Sequence, residues 1–365
     1  MEKLIREVFE IIKDYRADEQ MMNEGTIERW IQQFNLEDRE FILEEMKVIL
    51  GKHYISQEKA KELMKEMIRF LAKTFEIADP RDFLLASKFI DNQPNGKSQK
   101  ALLSFVDDII KAEYGLSIAE CNPEKPMYYL YIDDILCTGD TLVKNLTKND
   151  EHTKGWFYQV NEEGTTNLSL FKNNGSKLIL SYFAIHKLNI KKALSRIYYG
   201  LGKYNPHTIY AWDKDYAIEN DIDNIDSKLN FLFPKESVKD DIVIECQNQI
   251  EGKIKGAGYH ENDVIRYRDV NRPQAEEFFS SAENRERFEK IILDKCIQIY
   301  NSSSHLKEDL RPKPLGYGLY SDLSLGFGTL IFTWRNVPFN VPLVFWYRSQ
   351  HWTPLFERKF VNYEN

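Results

Sequence analysis

The stretch Tyr128-Tyr-Leu-Tyr-Ile-Asp-Asp-Ile-Leu-Cys-Thr-Gly-Asp-Thr-Leu142 constrains this chain most. Five apolar or aromatic residues, Tyr128 to Ile132, lead into two adjacent acids, Asp133 and Asp134. An unbroken apolar run bounded by a turn predicts a strand buried on both faces, as in a parallel sheet. The turn Cys137-Thr-Gly-Asp-Thr141 precedes Leu-Val-Lys-Asn-Leu, which has helical spacing. A Thr-Gly-X-Thr turn that opens a helix has the makings of an anion cradle. Gly139 lets the backbone come close to a phosphate, the first helical N–H groups point at it, and the hydroxyls of Thr138 and Thr141 add donors. Carboxylates just before that turn can accept hydrogen bonds from two vicinal ribose hydroxyls. The plain alternative is a buried strand ending in an Asp-rich turn.

The stretch resembles the ribose-phosphate loop of the type I phosphoribosyltransferases: apolar strand, two acids, a short spacer, Thr-Gly-X-Thr. One position departs from that pattern. Asp140 stands where the family often has glycine, and a carboxylate there repels a 5′-phosphate unless it turns away. The expectation is that it turns outward and caps the following helix through the N–H groups near Leu142 and Val143.

The flanking sequence supports an α/β core. Lys177 to Ile185 predicts a second buried strand, residues 190–199 a helix closed by Gly200, and Thr208 to Trp212 a third strand. Strand, helix, strand, helix, strand is a doubly wound, mostly parallel pattern. His186 follows the second strand and reads either as a site residue or, more simply, as a structural one. Upstream, Phe83 to Ile90 predicts the first short core strand or a segment leading to it, and Gly96-Lys97-Ser98 opens a helix. A P-loop would need glycine at position 91, which is Asp91, so that motif is excluded. Two readings stay open for this segment: a capped helix start with solvated lysines, or a pyrophosphate loop using Lys97 and Ser98.

Residues 1–78 predict a helical lobe, with one apolar stripe through Leu4, Ile5, Val8, Phe9 and Ile12 and another through Ile27, Trp30, Ile31 and Phe34. Residues 79–235 are the expected core, and 236–365 an α+β extension. The Asp-rich residues 213–227 lack the order of a calcium loop. Arg266, Arg268 and Arg272 suit either a phosphate clamp or salt bridges within an acidic chain. The closing segment is aromatic, with Asn336-Val-Pro-Phe-Asn340 read as a turn between two apolar strands. Its rings, Phe327 and Trp346 among them, would either complete a core or stack a base over the ribose-phosphate site.

The formal net charge of −8 argues against a general nucleic-acid or anionic-membrane surface. Cys121, Cys137, Cys246 and Cys296 are too scattered for a zinc site, and free thiols suit a reducing cytosol. No apolar run approaches the ~18 residues of a membrane helix.

The order of features then gives a wider resemblance, from about residue 27 to residue 358. Trp30-Ile-Gln-Gln-Phe, Gly96-Lys-Ser-Gln, the acid pair with Thr-Gly-X-Thr, and Asn336-X-Pro-X-Asn, Phe345-Trp and Trp352-X-Pro-Leu-Phe-X-Arg358 are similar to phosphoribosyltransferase-like proteins of bacterial conflict systems. That resemblance implies a cytoplasmic anti-phage effector, with a phosphoribosyl or nucleotide ligand. It also implies a retron reverse transcriptase with its DNA-RNA product, or another protein of a defence locus, as partner. In such a protein Asp133 and Asp134 would hold the ribose hydroxyls and act at the catalytic centre. Thr138, Gly139, Asp140 and Thr141 would form the phosphate loop. Mg²⁺, which the family uses, would sit with pyrophosphate near Lys97 and Ser98, on Asp133 and Asp134. Three functions follow: an enzyme acting at the ribosyl C1, a non-catalytic sensor of ribose phosphates, or a scaffold.

Overall fold

A computed structural model describes the chain except for residues 20, 94–97, 212–213, 219–228, 258–266, 319–324 and 359–365 and the side chains of Ser98 and Tyr210. Lys97, Trp212, Arg266 and most of the Asp-rich stretch therefore lie outside the described residues. The chain forms two compact units, Met1–Ser56 with Ile218–Asn365, and Gln57–Ala217. The three expected segments are thus redrawn. The first 56 residues fold with the carboxyl-terminal extension, while residues 57–78 belong to the core.

Packing explains the first unit. Its amino-terminal helices are α1 (Glu2–Ile12), α2 (Glu24–Ile31) and α3 (Arg39–His53), followed by the two-residue strand β1 (Tyr54–Ile55). Asn23 caps α2 by accepting from the Thr26 N–H at 3.0 Å. The apolar stripe of α2 meets the far end of the chain: Trp30 packs on Phe345, Phe34 on Trp352, and Trp30 Nε1 donates to the Val344 carbonyl at 3.0 Å.

The second unit carries the parallel sheet. It opens with α4 (Gln57–Thr74) and α5 (Pro80–Leu85), then β2 (Ser87–Phe89). Asp79-Pro80 begins α5 as cap and first helical residue, so the expected strand 83–90 is half helix. Next come α6 (Ser98–Tyr114), β3 (Tyr128–Leu136), α7 (Asp140–Thr147), α8 (Asn167–Asn174), β4 (Lys177–His186), α9 (Lys187–Gly200), β5 (Thr208–Ala211) and β6 (Ala217–Ile218). The order β2-β3-β4-β5 is parallel throughout, and β6 pairs with β4. Strand order follows the sequence, so the reversal that defines a doubly wound sheet is not seen among the described strands. What is observed is an α/β unit with a central parallel sheet.

Helices cover both sheet faces. Tyr129 and Tyr131 of β3 and Leu178, Leu180 and Tyr182 of β4 share one cluster with Leu142 and Leu146 of α7, Phe171 of α8 and Ala193 and Ile197 of α9. On the other face Ser181 donates to Met67 Sδ of α4 at 2.6 Å, and Tyr128 packs on Phe75 and Phe83. Among the described residues, no helix is long and apolar enough to cross a membrane.

The first unit resumes with α10 (Asp241–Gly256), α11 (Ala282–Ser302), α12 (Ser304–Glu308), β7 (Phe332–Thr333) and α13 (Leu343–Trp346). β7 pairs in parallel with β1. The expected two-stranded closing hairpin is absent from this stretch. Pro338 and Pro342 lack the N–H groups a ladder needs, and Pro342 instead precedes the helical turn α13.

Candidate functional site

β3 ends where two acids meet different surroundings. Asp133 is 8% exposed, and Asp134 is half-buried. Gln93 Nε2 donates to Asp133 Oδ2 at 3.3 Å and to the Tyr131 hydroxyl at 3.2 Å, and Asn145 Nδ2 also donates to that hydroxyl at 3.0 Å. The Asp134 N–H donates to Asp133 Oδ1 at 3.0 Å, and the Ile135 N–H to Asp134 Oδ1 at 2.8 Å. Burial first, and the adjacent Asp134 charge second, hold the Asp133 carboxyl well above the usual carboxylate range. Burial pushes the Tyr131 and Cys137 groups upward as well.

The turn after β3 is built around one glycine. Gly139 has φ +75°, and a Cβ there would lie 2.7 Å from Ala193 Cβ on α9. The left-handed backbone and the close helix contact both exclude a larger residue. So the requirement for glycine has a packing cause, whatever ligand approaches. The Cys137 carbonyl accepts from Asn189 Nδ2 at 2.5 Å, and Thr138 Oγ1 accepts from the Asp140 N–H at 3.2 Å. Thr138 is half-buried and Thr141 exposed. The N–H groups of Thr141 and Leu142 fall in the first turn of α7, where no intrahelical acceptor exists.

Asp140 is the first residue of α7, and its carboxylate makes no cap there. The Val143 N–H goes to the Gly139 carbonyl at 3.0 Å. Asp140 Oδ1 instead meets Arg196 Nη1 of α9 at 2.5 Å. The expected outward cap is replaced by an ion pair with a neighbouring helix.

Side chains assigned no role in the sequence complete the site, Gln99 among them although it ends the Gly96-Lys-Ser-Gln element. β2 stops at Phe89, opposite Leu130. Beyond that point Gln99, fully buried on α6, donates through Nε2 to the Ile132 carbonyl at 3.1 Å. Gln99 thus takes the ladder position that β2 vacates, and its Oε1 has no donor among the described residues. Gln93 and Gln99 flank residues 94–97, and both reach β3 at the acid pair. A Gln-X₅-Gln spacing around a Gly-Lys-Ser is not a pattern that announces such a role. Lys97 lies outside the described residues; Ser98 starts α6, its side chain outside as well.

The remaining sequence candidates sit elsewhere in their own units. His186 is fully buried at the end of β4, and burial drops it to about 3, so it stays neutral. Phe327 and Trp346 are interior residues of the first unit. Trp346 packs on Tyr317, Phe339 and Tyr347, with Nε1 donating to the Val341 carbonyl at 2.7 Å. The Phe327 ring lies so close to Gly318 that a Cβ there would strike it. Both serve packing, and neither offers an open stacking face. Arg268 pairs with the buried Glu289 at 2.9 Å, which is the salt-bridge reading of that arginine cluster.

Among the described residues, no group of three or more His, Cys, Asp and Glu side chains is placed to hold a metal. Asp133 and Asp134 are the adjacent carboxylates that a Mg²⁺ ion at this site would meet. Their charges are adjacent and one is strained by burial. Carboxylates, phosphate oxygens and water are the ligands this ion takes.

No curated protein and no solved structure matches this chain. The model of the PRTase-CE family matches residues 27–358, and the chain belongs to that family as a phosphoribosyltransferase-like protein.

Proposed function

We propose that the second unit binds a ribose 5-phosphate group, as phosphoribosyl pyrophosphate or a nucleotide, and acts at the ribosyl C1 by transfer or by cleavage. One observation carries this reading. A left-handed Gly139 at the carboxyl end of a central parallel strand turns the chain so that the first N–H groups of α7 follow directly on an acid pair. Phosphate would take the helix start, with Thr138 and Thr141 as donors. Ribose hydroxyls would take Asp133 and Asp134. A cationic ribosyl centre is what carboxylates near the ring stabilise. Mg²⁺ would sit on the acid pair and supply charge neutralisation for pyrophosphate. Lys97 and Ser98 are the proposed pyrophosphate contacts; their neighbours Gln93 and Gln99 reach the acid pair.

The test is turnover of labelled phosphoribosyl pyrophosphate with a panel of nucleobases. Pyrophosphate release that is lost in Asp133→Asn with Asp134→Asn supports the enzyme. Saturable binding without release points to the second reading, a non-catalytic sensor. Asp140 does not decide between the two, because its carboxylate is paired with Arg196 of α9. The proposal extends to a cytoplasmic anti-phage effector working with a reverse transcriptase and its DNA-RNA product or another defence-locus protein. A plaque assay with the intact locus and the acid-pair variant tests it. Full protection by the variant would leave only a scaffold role.

A further inference from the structure

We propose that the outward groove between α7 and α9 holds a single strand of nucleic acid, a partner beyond the small ligand of the loop. The whole chain carries a formal net charge of −8, yet Gly164 to Ala211 contains Lys and Arg and neither Asp nor Glu. α9 brings Lys187, Lys191, Lys192 and Arg196 to that stretch. Across α7 and α9 the one acid is Asp140, and Arg196 pairs with it. A positive stripe on an acidic chain is a local electrostatic footprint for a polyanion. Both helices belong wholly to the second unit.

The groove begins at the loop and follows the two helices. A Cβ at Gly139 would meet Ala193, Asp140 meets Arg196, and a Cβ at Gly200 would lie 2.8 Å from Thr147 Oγ1. The packed positions therefore advance together along α7 and α9. Ile190, Ala193 and Ile197 are buried and form the inner face of α9. Lys192, Arg196 and Tyr199 have the spacing i, i+4, i+7 and share the flank that Arg196 turns towards α7. Lys144 stands one turn after Asp140, on the same side of α7. Lys144, Lys192, Arg196 and Tyr199 are all exposed. From Lys192 to Tyr199 the helix rises about 10 Å, enough to follow a strand rather than to hold one small anion.

The aromatic rings select the occupant. Tyr199 is 65% exposed and Tyr198 37%, their ring centres 5.3 Å apart and edge-on. Exposed rings beside a basic stripe stack unpaired bases, while the cations track the phosphates. A duplex keeps its base faces stacked inside and offers these rings nothing. An acidic peptide would answer the charges and leave the rings to water. A single strand of nucleic acid answers both.

Fluorescence anisotropy of the full chain tests the inference, with labelled oligothymidylate and oligouridylate of about twelve nucleotides, within the ~4–16 that one small binding fold covers. At least one should bind, and the affinity should fall as salt rises. Lys144→Gln with Lys192→Gln removes two charges. It should weaken binding about tenfold at low salt and flatten the salt dependence by about 1.4 in slope, at ~0.7 for each phosphate contact on a single strand. Tyr199→Ala should also weaken binding about tenfold but leave that slope unchanged, because stacking releases no counterions. Its exposed position keeps the test available if the double variant does not fold. No binding, binding that neither alteration weakens, or equal binding of a matching duplex or of polyglutamate overturns the inference. Failure of the unaltered chain to bind ribose 5-phosphate overturns the reading of the loop instead.

Discussion

Two buried charge clusters in this protein are built on opposite terms. In the first unit, Arg285 is fully buried between Glu276 and Glu289, with further bonds to the Phe231 and Leu229 carbonyls and its guanidinium 4.4 Å from the Phe279 ring centre. Arg268 closes the set on Glu289, whose carboxylate also accepts from the Phe233 N–H at 3.1 Å. Every charge there has an opposite. In the second unit, Asp133 is buried beside Asp134, and its side-chain donors are an amide and a backbone N–H. A paired cluster holds elements together, whereas adjacent like charges cost stability and mark a place where a ligand or cation completes the balance.

The largest expected effect tests the paired cluster. Glu289→Ala leaves Arg268 and Arg285 buried without their shared partner, and should cost about 3–5 kcal/mol. Urea unfolding followed by tryptophan fluorescence measures it. A loss below about 1 kcal/mol would remove the distinction between the two clusters.

Gly139→Ala comes next, at about 2–4 kcal/mol, because it adds left-handed strain to an overlap with Ala193. Ala193→Gly in the same chain should return the overlap part and leave the backbone part. Full rescue by Ala193→Gly would show that the φ of +75° contributes nothing.

Asp133→Asn should act in the other direction. It removes the buried like charge and should stabilise the second unit by roughly 1–3 kcal/mol at neutral pH while abolishing ribose binding. The sign follows from the raised carboxyl. An acid held above its unfolded value binds its proton more tightly when folded, so it costs nothing below the unfolded carboxylate value of ~3.9. The cost grows as pH rises towards the folded value and is complete above it. The gain from asparagine should therefore vanish near pH 3.5 and reach a plateau above the raised value. Thermal melts across that range decide it, and a gain independent of pH would break the argument.

What the sequence disclosed and what it hid follow the same divide between local and distant causes. β3, its turn and α7 are legible because one apolar run, one left-handed glycine and one helical repeat act within fifteen or so residues. The unit boundary at Ser56–Gln57 is not, since amphipathic helices lie on both sides of it; the partners of Trp30 and Phe34 lie more than 300 positions away at Phe345 and Trp352. Gln93, Gln99 and Arg196 gain their roles only when β2 ends early and α9 packs on α7. The closing aromatic run showed apolar content but not its conformation, which Pro338 and Pro342 divert from strand to turn and helix.

The smallest effect on stability concerns Asp140, and it bears most directly on the loop. Its pair with Arg196 is partly exposed, 35% and 44% by side chain, so breaking it should cost no more than about 1 kcal/mol. The consequence lies in binding. The guanidinium sits on the one carboxylate of the turn and cancels a charge that would otherwise repel the phosphate of the proposed ligand. Arg196→Ala exposes that charge and should weaken ribose 5-phosphate binding by about tenfold, or ~1.4 kcal/mol. Asp140→Asn alone should strengthen it by up to about tenfold, since a neutral pair is exchanged for a neutral amide and an unpaired guanidinium of charge +1. In the double variant the loss caused by Arg196→Ala should largely disappear, because no carboxylate remains to be neutralised. Calorimetric titration of the four proteins closes the cycle. Equal losses in Arg196→Ala and in the double variant would mean that Arg196 contacts the phosphate itself, and that Asp140 merely holds it in place.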